Sequence, residues 1–274
     1  MRTDPRHPRT MTVSDDVPAE TIATATRRSS FLAALASGPR RKRDLRDELD
    51  VSRSTVYKAV RELDEQGLVE RTDDGLVLTS AGRMVESAYA TFHGTVADVC
   101  RTRELLSNLP RTVDVPPALL DDADVVTAQR HAPNRPVRLF EELVRDADVV
   151  RGISPVALPQ YVEVFHEQAT DGDLAADLVL EKPVVEYLLA EYGDEFGETL
   201  ETGRLAVWET EATLPFGLVV VEGERSGVGV VAYDERGELR GLVVNESREA
   251  VTWGRETFDE YRSSGTRLRP GPVE

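Results

Sequence analysis

Apolar positions near the start of the chain recur at helical spacing and then change to a strand-like pattern. Apolar residues between 31 and 36 share one helical face, and Gly38-Pro39 ends this helix. A second helix is predicted over 43–50. A third begins after Ser52, a residue type favoured at helix N-caps, and stops at Gly67, because glycine is favoured just beyond a helix C-terminus.

Two short apolar stretches, 68–71 and 76–78, follow and are joined by a turn that contains Asp74-Gly75. An Asp-Gly dipeptide between apolar runs is a strong β-hairpin signal. Three helices followed by a hairpin predict an α+β winged helix-turn-helix domain over 27–79. Residues 1–26 are mostly polar, so we expect a disordered tail, within which Met11 is an alternative start.

A long helical pattern extends over 80–110. Its apolar residues are spaced mainly by three and four: Met84, Val85, Ala88, Phe92, Val96, Val99, Leu105 and Leu106. The helix is too long to serve one small domain. It is either a connector that also dimerises, which we favour, or a helix packed on its own C-terminal domain. The single cysteine, Cys100, lies on it, and we expect a packed small residue rather than a redox sensor.

The remaining residues, 111–268, alternate between strand-like and helix-like stretches. Strands are predicted over 148–154, 176–180, 205–208, 218–221, 228–233 and 239–245, and helices over 158–168, 183–191 and 248–262. Strands that alternate with helices predict a parallel sheet, and the last three strands predict an antiparallel extension. The expected fold is an α/β domain with a mixed, mainly parallel sheet.

Charge is distributed unevenly along the chain. Fifty acidic residues outnumber 33 basic ones, giving a net charge of −17, and only three of the basic residues are lysines. This composition is typical of proteins from a salt-rich cytoplasm, where screening limits self-repulsion; an ordinary acidic protein from a GC-rich genome is the alternative. Residues 27–61 carry ten bases and four acids, a net charge of +6, which leaves −23 for the rest. The basic segment coincides with the predicted helix-turn-helix, as a nucleic-acid footprint would.

The predicted third helix has an inward apolar face and an outward face that suits DNA. Arginine can fork onto guanine edges, hydroxyl groups reach bases or phosphates, and Tyr and Lys commonly hold the backbone. The basic run before the second helix and the base in the hairpin would meet phosphate. The predicted DNA-binding residues are Arg41, Lys42, Arg43, Ser52, Arg53, Ser54, Thr55, Tyr57, Lys58, Arg61 and Arg71. A protein-interaction module with merely solvated bases is the alternative, and the charge segregation favours DNA.

The stretch 45–63, with Gly67-Leu68-Val69-Glu70-Arg71 after it, is similar to archaeal (haloarchaeal-type) winged-helix regulators. The second domain resembles the middle domain named for the methanogenesis regulatory protein. Its matching residues are Leu214-Pro215-Phe216-Gly217-Leu218, Ala232-Tyr233-Asp234-Glu235-Arg236-Gly237, Trp253 and Tyr261-Arg262. The resemblance covers about 29–265 and implies a sensor or dimerisation domain with no named ligand. One departure concerns the helix near Arg41, where such regulators commonly place a Thr or Ser cap, and it puts that first turn in question.

The sequence has few motifs that indicate catalysis. None of the four histidines, His7, His93, His131 and His166, stands two residues from a lysine. This is the His-x-Lys pattern of phospholipase-D-type phosphodiesterases, whose fold the α/β domain could share without catalysis. Glycine-rich nucleotide motifs and the His-Glu-x-x-His zinc motif are also missing. We therefore expect no enzyme, metal or cofactor. No apolar run approaches the roughly 18 residues of a membrane span, so we expect a soluble cytoplasmic protein.

The function that follows is a homodimeric, sequence-specific transcriptional regulator that binds double-stranded DNA, modulated through its C-terminal domain. A small-molecule effector would lie beyond the carboxyl ends of the parallel strands. The residues predicted there are Arg151, Ser154, Glu181, Trp208 and Glu209, each of which could equally be a strand end or helix cap. The alternatives are a phosphodiester or phosphate hydrolase built on the α/β domain and an architectural DNA binder that senses nothing.

Overall fold

A computed structural model describes residues 19–109, 111 and 113–268 of the 274-residue chain. These residues divide into two compact units, with the boundary between Gly94 and Thr95. The boundary falls inside a long helix, Ser80–Leu106. The predicted tail residues 1–18, including Met11 and His7, lie outside the described part of the chain.

The N-terminal unit consists of helices followed by a hairpin. Its elements are α1 (Ala19–Arg27), α2 (Ser29–Ala36), α3 (Lys42–Glu48), α4 (Arg53–Glu65), β1 (Val69–Thr72), β2 (Gly75–Leu78) and the first part of α5 (Ser80–Leu106). Strands β1 and β2 are antiparallel, with Thr72 opposite Gly75, so Asp73 and Asp74 form the loop of the predicted hairpin. One apolar cluster joins these elements, and Leu32, Leu45 and Leu63 are fully buried in it.

Helix α1 corrects the prediction that residues 1–26 are a disordered tail, because 19–27 form a helix. Its small residues Thr24 and Ala25 are buried, so the segment contributes to the core without a strongly apolar sequence. The Thr21 hydroxyl hydrogen-bonds to Gln66 Oε1 at 2.6 Å. Just after α1, Arg28 Nε donates to Glu62 Oε2 at 2.9 Å. Polar contacts with the end of α4 therefore hold α1 in place, and sequence patterning gives no sign of them.

The caps of α3 and α4 explain where these helices begin. Ser52 caps α4 as predicted, because its hydroxyl accepts from the Thr55 N–H at 3.1 Å. Helix α3 has Arg41 at the N-cap position in place of a Thr or Ser. Here the side chain of Asp44, three residues further on, bonds back to the N-cap backbone. The carboxylate of Asp44 accepts from the Arg41 N–H at 3.0 Å, and the Asp44 N–H donates to the Arg41 carbonyl oxygen at 2.9 Å.

The C-terminal unit contains the end of α5, one eight-stranded sheet and further helices. Its elements are a 3-10 helix (Pro117–Leu119), β3 (Asp124–Thr127), α6 (Arg135–Arg145), β4 (Ala147–Ser154), α7 (Pro159–Thr170), β5 (Ala175–Glu181), α8 (Lys182–Glu191), α9 (Gly193–Glu201), β6 (Leu205–Thr210), β7 (Gly217–Gly223), β8 (Gly227–Tyr233), β9 (Leu239–Asn245), α10 (Arg248–Ser264) and β10 (Thr266–Arg267). The strand order is β10-β6-β5-β4-β7-β8-β9-β3.

The sheet is mixed, as predicted, but antiparallel pairings outnumber parallel ones. In the described part of the chain only β4–β5 and β5–β6 are parallel, and the remaining pairings are antiparallel. The physical reason is connectivity. Helices connect the neighbouring strands β4, β5 and β6, whereas β7, β8 and β9 follow one another through hairpins; α6 also connects β3 to β4, but these two strands are not neighbours. The predicted antiparallel extension is therefore the larger part of the sheet, and β3 and β10 add antiparallel edges that were not predicted.

Two apolar layers cover the two faces of this sheet. Helices α6 to α9 pack on one face, where Phe140, Val164 and Leu188 are buried. Helix α10, the 3-10 helix and the end of α5 pack on the other face, where Phe258 and Leu105 are buried. We call these the four-helix face and the α10 face. The end of α5 thus packs on its own C-terminal unit, which is one of the two interpretations of the long helix.

The middle of α5 has a different environment. Met84 is 75% exposed and Phe92 is 64% exposed, and Val96 and Val99 are 43% and 42% exposed. Cys100 is also exposed, which corrects the expectation that it is a packed residue. These four exposed apolar side chains lie within 16 residues of one helix.

Candidate nucleic-acid interface

Helix α4 divides into the two faces that its sequence predicts. Val56, Val60 and Leu63 are buried in the core of the N-terminal unit. The opposite face is solvent-exposed and polar, and consists of Arg53, Ser54, Tyr57, Lys58 and Arg61. Because the buried residues fix the rotation of the helix about its axis, they also fix which side chains point outward.

Tyr57 is the centre of a cationic cluster on this face. The Lys42 ammonium lies 3.9 Å from the centroid of the Tyr57 ring, and the Arg53 guanidinium lies 5.5 Å from it. Arg53 also approaches the Tyr57 hydroxyl at 3.5 Å. This interaction with Arg53, together with the charge of Lys42, lowers the pKa of Tyr57. Tyr57 therefore holds bases from two different helices at one place.

The hairpin brings a further base to the same place. Arg40 pairs with Leu76 of β2 through two backbone hydrogen bonds of 3.0 and 2.9 Å, so the basic run 40–43 starts beside the hairpin. Arg41, Lys42 and Arg71 line one shallow surface recess there. We call Arg41, Lys42, Arg53, Tyr57 and Arg71 the cationic cluster. Among the described residues, none of its four bases forms an ion pair, so their charges are available to a ligand.

The other predicted bases have acidic neighbours. Arg43 lies 3.3 Å from Asp44, Lys58 lies 4.0 Å from Glu62, and Arg61 lies 3.6 Å from Glu65. The three basic side chains remain 61–71% exposed. Exposed pairs of this kind are worth about 0–1 kcal/mol, so a phosphate could replace the carboxylate at little cost.

The predicted hydroxyl groups are used mainly by the helix itself. Ser52 Oγ accepts from the Thr55 backbone and lies 2.8 Å from both the Ser54 and the Thr55 hydroxyls. Ser52 and Thr55 therefore set the position of the first turn of α4. Ser54 is exposed beside Arg53 and remains the hydroxyl most accessible from outside.

The residues predicted to bind an effector are not brought together. Alternation along the strands sends them to opposite faces of the sheet: Arg151 and Trp208 lie on the α10 face, whereas Ser154 lies on the four-helix face. Arg151 donates to the Glu222 carboxylate, which also accepts from Arg255 of α10 at 3.1 Å.

The remaining members of that set have structural partners as well. Trp208 lies beneath the Arg262 guanidinium, 5.6 Å from it, and Glu181 accepts the Leu214 N–H at 2.7 Å. Glu209 stands opposite Thr266 in the β6–β10 pairing. These contacts describe strand ends and loop anchors, which was the other interpretation of the same residues.

Sequence analysis missed an apolar cavity on the four-helix face of the sheet. It has a volume of about 80 Å³ and lies between the sheet and helices α6 to α9. Phe140, Tyr161, Phe196 and Tyr233 are among its lining residues, and Ser154 reaches it from the end of β4. Its residues come from strands and helices that are far apart in sequence, so no local motif marks it.

Comparison with known proteins finds two family models, each of which matches part of the chain. Residues 133–264 match the model of the methanogenesis regulatory protein FilR1, middle domain, and residues 15–101 match the model of the HVO_A0261 N-terminal domain. The match to the FilR1 middle domain supports a transcriptional regulator. No curated protein matches the chain.

Solved structures show only distant similarity. TrmBL2, described as an archaeal chromatin protein with a novel mode of DNA binding, is 14% identical, covers 88% of this chain and 93% of its own, and has a TM-score of 0.40. The phospholipase D family member Nuc from Salmonella typhimurium is 11% identical over 54% of this chain and 98% of its own, with a TM-score of 0.42. NucT from Helicobacter pylori is 6% identical over 54% and 99%, with a TM-score of 0.41. Similarity at this level does not transfer an activity to the chain.

No helix in the described part of the chain is long and apolar enough to cross a membrane. No group of three or more His, Cys, Asp or Glu side chains in the described ranges is arranged to hold a metal ion.

Proposed function

We propose that this protein is a sequence-specific DNA-binding transcriptional regulator whose N-terminal unit acts as a winged helix-turn-helix. The observation that carries the proposal is the cationic cluster, in which bases from α3, α4 and β1 converge on the exposed face of one helix. The rest of the chain is strongly acidic and would repel DNA. The cluster therefore gives the protein a single orientation on a duplex.

In this orientation α4 enters the major groove with its N-terminal end leading. Arg53 and Ser54 then face base edges, and Arg61, a little over two turns further along the same exposed face, reads a second position. Arg41, Lys42 and Arg71 face phosphates at the groove edge, since the recess that they line opens beside the hairpin. Tyr57 keeps Arg53 and Lys42 apart and in place, which reduces the entropy that their ordering on DNA would cost.

We further propose that the regulator is a homodimer formed through the exposed part of α5. Met84, Phe92, Val96 and Val99 form an apolar stripe that a second copy of the same helix would cover. Two copies related by a two-fold axis would read an inverted repeat, with half-site centres roughly 34–36 Å apart or a multiple of that. The acidic surface suits a salt-rich cytoplasm, where base contacts must carry more of the affinity because counterion release contributes less.

The DNA-binding proposal is tested by mapping binding sites in the host and then measuring affinity for the recovered sequence. The double variant Arg53→Ala/Arg61→Ala removes both predicted base-reading arginines. Each good arginine contact is worth about 1–3 kcal/mol, so we expect specific affinity to fall by roughly two to four orders of magnitude without a change in the thermal transition.

The matched control is Arg225→Ala/Arg236→Ala, which removes the same charge from exposed positions in the C-terminal unit. It should bind the operator like the parent protein. If the Arg53/Arg61 variant still selects the operator, the assigned face is wrong. Uniform affinity for unrelated sequences would instead indicate an architectural binder.

The dimer proposal is tested by sedimentation of Phe92→Glu, which places a charge in the centre of the stripe. We expect the variant to be monomeric, whereas Ala97→Glu, at an exposed position on the same helix, should leave the dimer intact. If the Phe92→Glu protein sediments as a dimer, the dimer interface is not on the exposed part of α5.

A further inference from the structure

The cavity on the four-helix face has the construction of a ligand site rather than of a packing defect. Its wall is almost entirely apolar, with Phe140, Phe196 and several valines and leucines contributed by four helices and the sheet. On one side its wall is only half-buried, at Val156, Ala157 and Val162, where β4 connects to α7. A small molecule could enter there without unfolding the core.

Glycines on the sheet floor make room for the cavity. A Cβ atom on Gly217 would lie 3.0 Å from Val231 Cβ and 3.1 Å from the Tyr233 hydroxyl. A Cβ atom on Gly152 would lie 3.2 Å from Leu178 Cδ2. Both glycines line the cavity. A side chain at Gly217 would take space beside the Tyr233 hydroxyl, whereas one at Gly152 would press on Leu178 and on the Leu218 carbonyl oxygen, 3.0 Å away. The glycine at 217 therefore keeps the space next to the Tyr233 hydroxyl open.

The polar side chains on this wall are Ser154, Tyr161, His166, Thr199 and Tyr233. His166 Nδ1 lies 3.0 Å from the Thr199 hydroxyl, and Ser154 donates to the Val156 carbonyl oxygen at 2.7 Å, so the two tyrosine hydroxyls are the polar groups considered for a ligand. Tyr161 of α7 and Tyr233 of β8 are both buried, and their hydroxyl oxygens lie 3.5 Å apart. That separation is well above the 2.7–2.8 Å that is usual for O–H···O bonds. Among the described residues the Tyr161 hydroxyl has no other hydrogen-bond partner. The Tyr233 hydroxyl also interacts with the Ser154 side chain. A phenol hydroxyl can donate one hydrogen bond and accept others, so Tyr161 in particular has capacity for a further oxygen.

Burial keeps both groups in the neutral form. It raises the pKa of Tyr161 well above its ordinary value, and it also raises the pKa of Tyr233. Both hydroxyls therefore keep their protons at any physiological pH. A neutral donor pair in an apolar chamber favours a neutral ligand over an ionised one, because a charged ligand would lose its hydration without a counter-charge.

We propose that this cavity binds a small, uncharged, mainly apolar molecule through one hydroxyl or carbonyl oxygen held by Tyr161 and Tyr233. The volume of about 80 Å³ is smaller than the roughly 150 Å³ of an engineered cavity that binds benzene, so the buried part of the ligand is a short branched chain or a small ring. The further assignment of this cavity as the effector site of the regulator rests on the proposed function. Binding itself does not depend on it.

The test is a methyl-labelled NMR titration of the full-length chain without DNA, with isobutanol as the oxygen-bearing probe and xenon as the apolar probe. The methyl groups of Leu178, Leu180 and Val231 line the cavity and report on occupancy. Tyr161→Phe removes one hydroxyl and keeps the shape of the side chain. Tyr187→Phe makes the same change on an exposed tyrosine of α8 and is the matched control.

We expect both probes to shift the cavity methyl signals saturably in the parent protein and in Tyr187→Phe. In Tyr161→Phe, isobutanol should bind about 3- to 10-fold more weakly while xenon binding is unchanged, because one hydrogen bond is lost and the apolar wall is kept. Shifts that are absent or do not saturate would overturn the cavity as a ligand site. Equal isobutanol affinity in Tyr161→Phe and the parent would overturn the role of the hydroxyls. Since no DNA is present, a failure of the DNA-binding proposal would leave these results unchanged.

Discussion

A single methyl group added to α5 should have opposite effects at two of its glycines. Gly82 lies where the start of α5 crosses the backbone at the beginning of β1. A Cβ atom there would lie 1.9 Å from the Leu68 carbonyl oxygen and 2.9 Å from its carbon. Gly94 lies in the exposed part of the same helix, and a Cβ atom there would have no neighbour within 4 Å. The prediction concerns Gly82→Ala, with Gly94→Ala as its internal control.

The cost at Gly82 follows from the contacts that hold this crossing together. Thr79 N donates to Leu68 O at 3.0 Å, and the Thr79 hydroxyl donates to Gly67 O at 2.7 Å. An alanine needs the carbonyl to retreat by roughly 1 Å, which would strain both hydrogen bonds. Overpacking costs about 1–3 kcal/mol and each hydrogen bond contributes about 1 kcal/mol, so we expect a loss of at least ~3 kcal/mol.

At Gly94 the same methyl group should stabilise the helix by roughly 0.5–1 kcal/mol, since alanine has the higher helix propensity. For a unit of this size, a 3 kcal/mol loss corresponds to a melting temperature lower by roughly 12–24 °C. Circular dichroism follows the helices of both units, whereas both tryptophans, Trp208 and Trp253, lie in the C-terminal unit. The Gly82→Ala transition should therefore move in circular dichroism and stay near that of the parent in tryptophan fluorescence. If Gly82→Ala and Gly94→Ala melt alike, the close crossing does not exist in solution.

Three further outcomes are expected. Ser52→Ala should destabilise the N-terminal unit by about 1 kcal/mol in chemical denaturation, and Ser52→Gly by only a few tenths, because the cap hydroxyl satisfies the Thr55 N–H. Tyr161 and Tyr233 have folded-state pKa values raised by burial, so the stability that they give is present below the unfolded-state pKa of about 10 and is lost as the pH rises further. Tryptophan-monitored unfolding should show a slope of about −1.4 kcal/mol per pH unit for each of the two tyrosines, and Tyr161→Phe should remove one of them; an unchanged slope would contradict the burial. Operator affinity should fall with a log–log salt slope of roughly −3 per protomer, set by the three phosphate-facing bases Arg41, Lys42 and Arg71, and a slope near −5 would mean that Arg43, Lys58 and Arg61 also bind phosphate.

The parts of the fold that were predicted correctly are those with short-range signals. Helix α4 was predicted with its cap because Ser52, the apolar spacing and Gly67 are all within one short stretch. The β1–β2 hairpin was predicted because its turn and both strands lie within ten residues. Helix α1 was missed because its buried residues, Thr24 and Ala25, carry little apolar signal, and its anchors on Gln66 and Glu62 are distant in sequence.

The proportion of parallel strands was overestimated for a related reason. Alternating strands and helices predict crossovers, but they do not say on which side of β4 the next strand is added. The chain places β7 beside β4 in the antiparallel direction and then continues by hairpins. β3 pairs with β9 more than a hundred residues away, and its partly buried, short sequence gives no independent strand signal.

The DNA-binding face could be predicted from the sequence and the cavity could not. The difference is whether the sequence pattern shows which face of a helix or strand each residue occupies. On an amphipathic helix the spacing of the apolar residues identifies the buried face, so the opposite face, with Arg53 and Tyr57, is identified as well. The central strands of the C-terminal sheet are apolar on both faces, and β8 is buried along its whole length. Such a strand carries no alternation to show which residues share a face. Choosing residues by their position at strand ends therefore mixed Arg151 and Trp208 of one face with Ser154 of the other. Tyr233 lies in a strand whose sequence is that of an ordinary core strand. It becomes a candidate for binding only because its hydroxyl lies close to that of Tyr161 on the four-helix face.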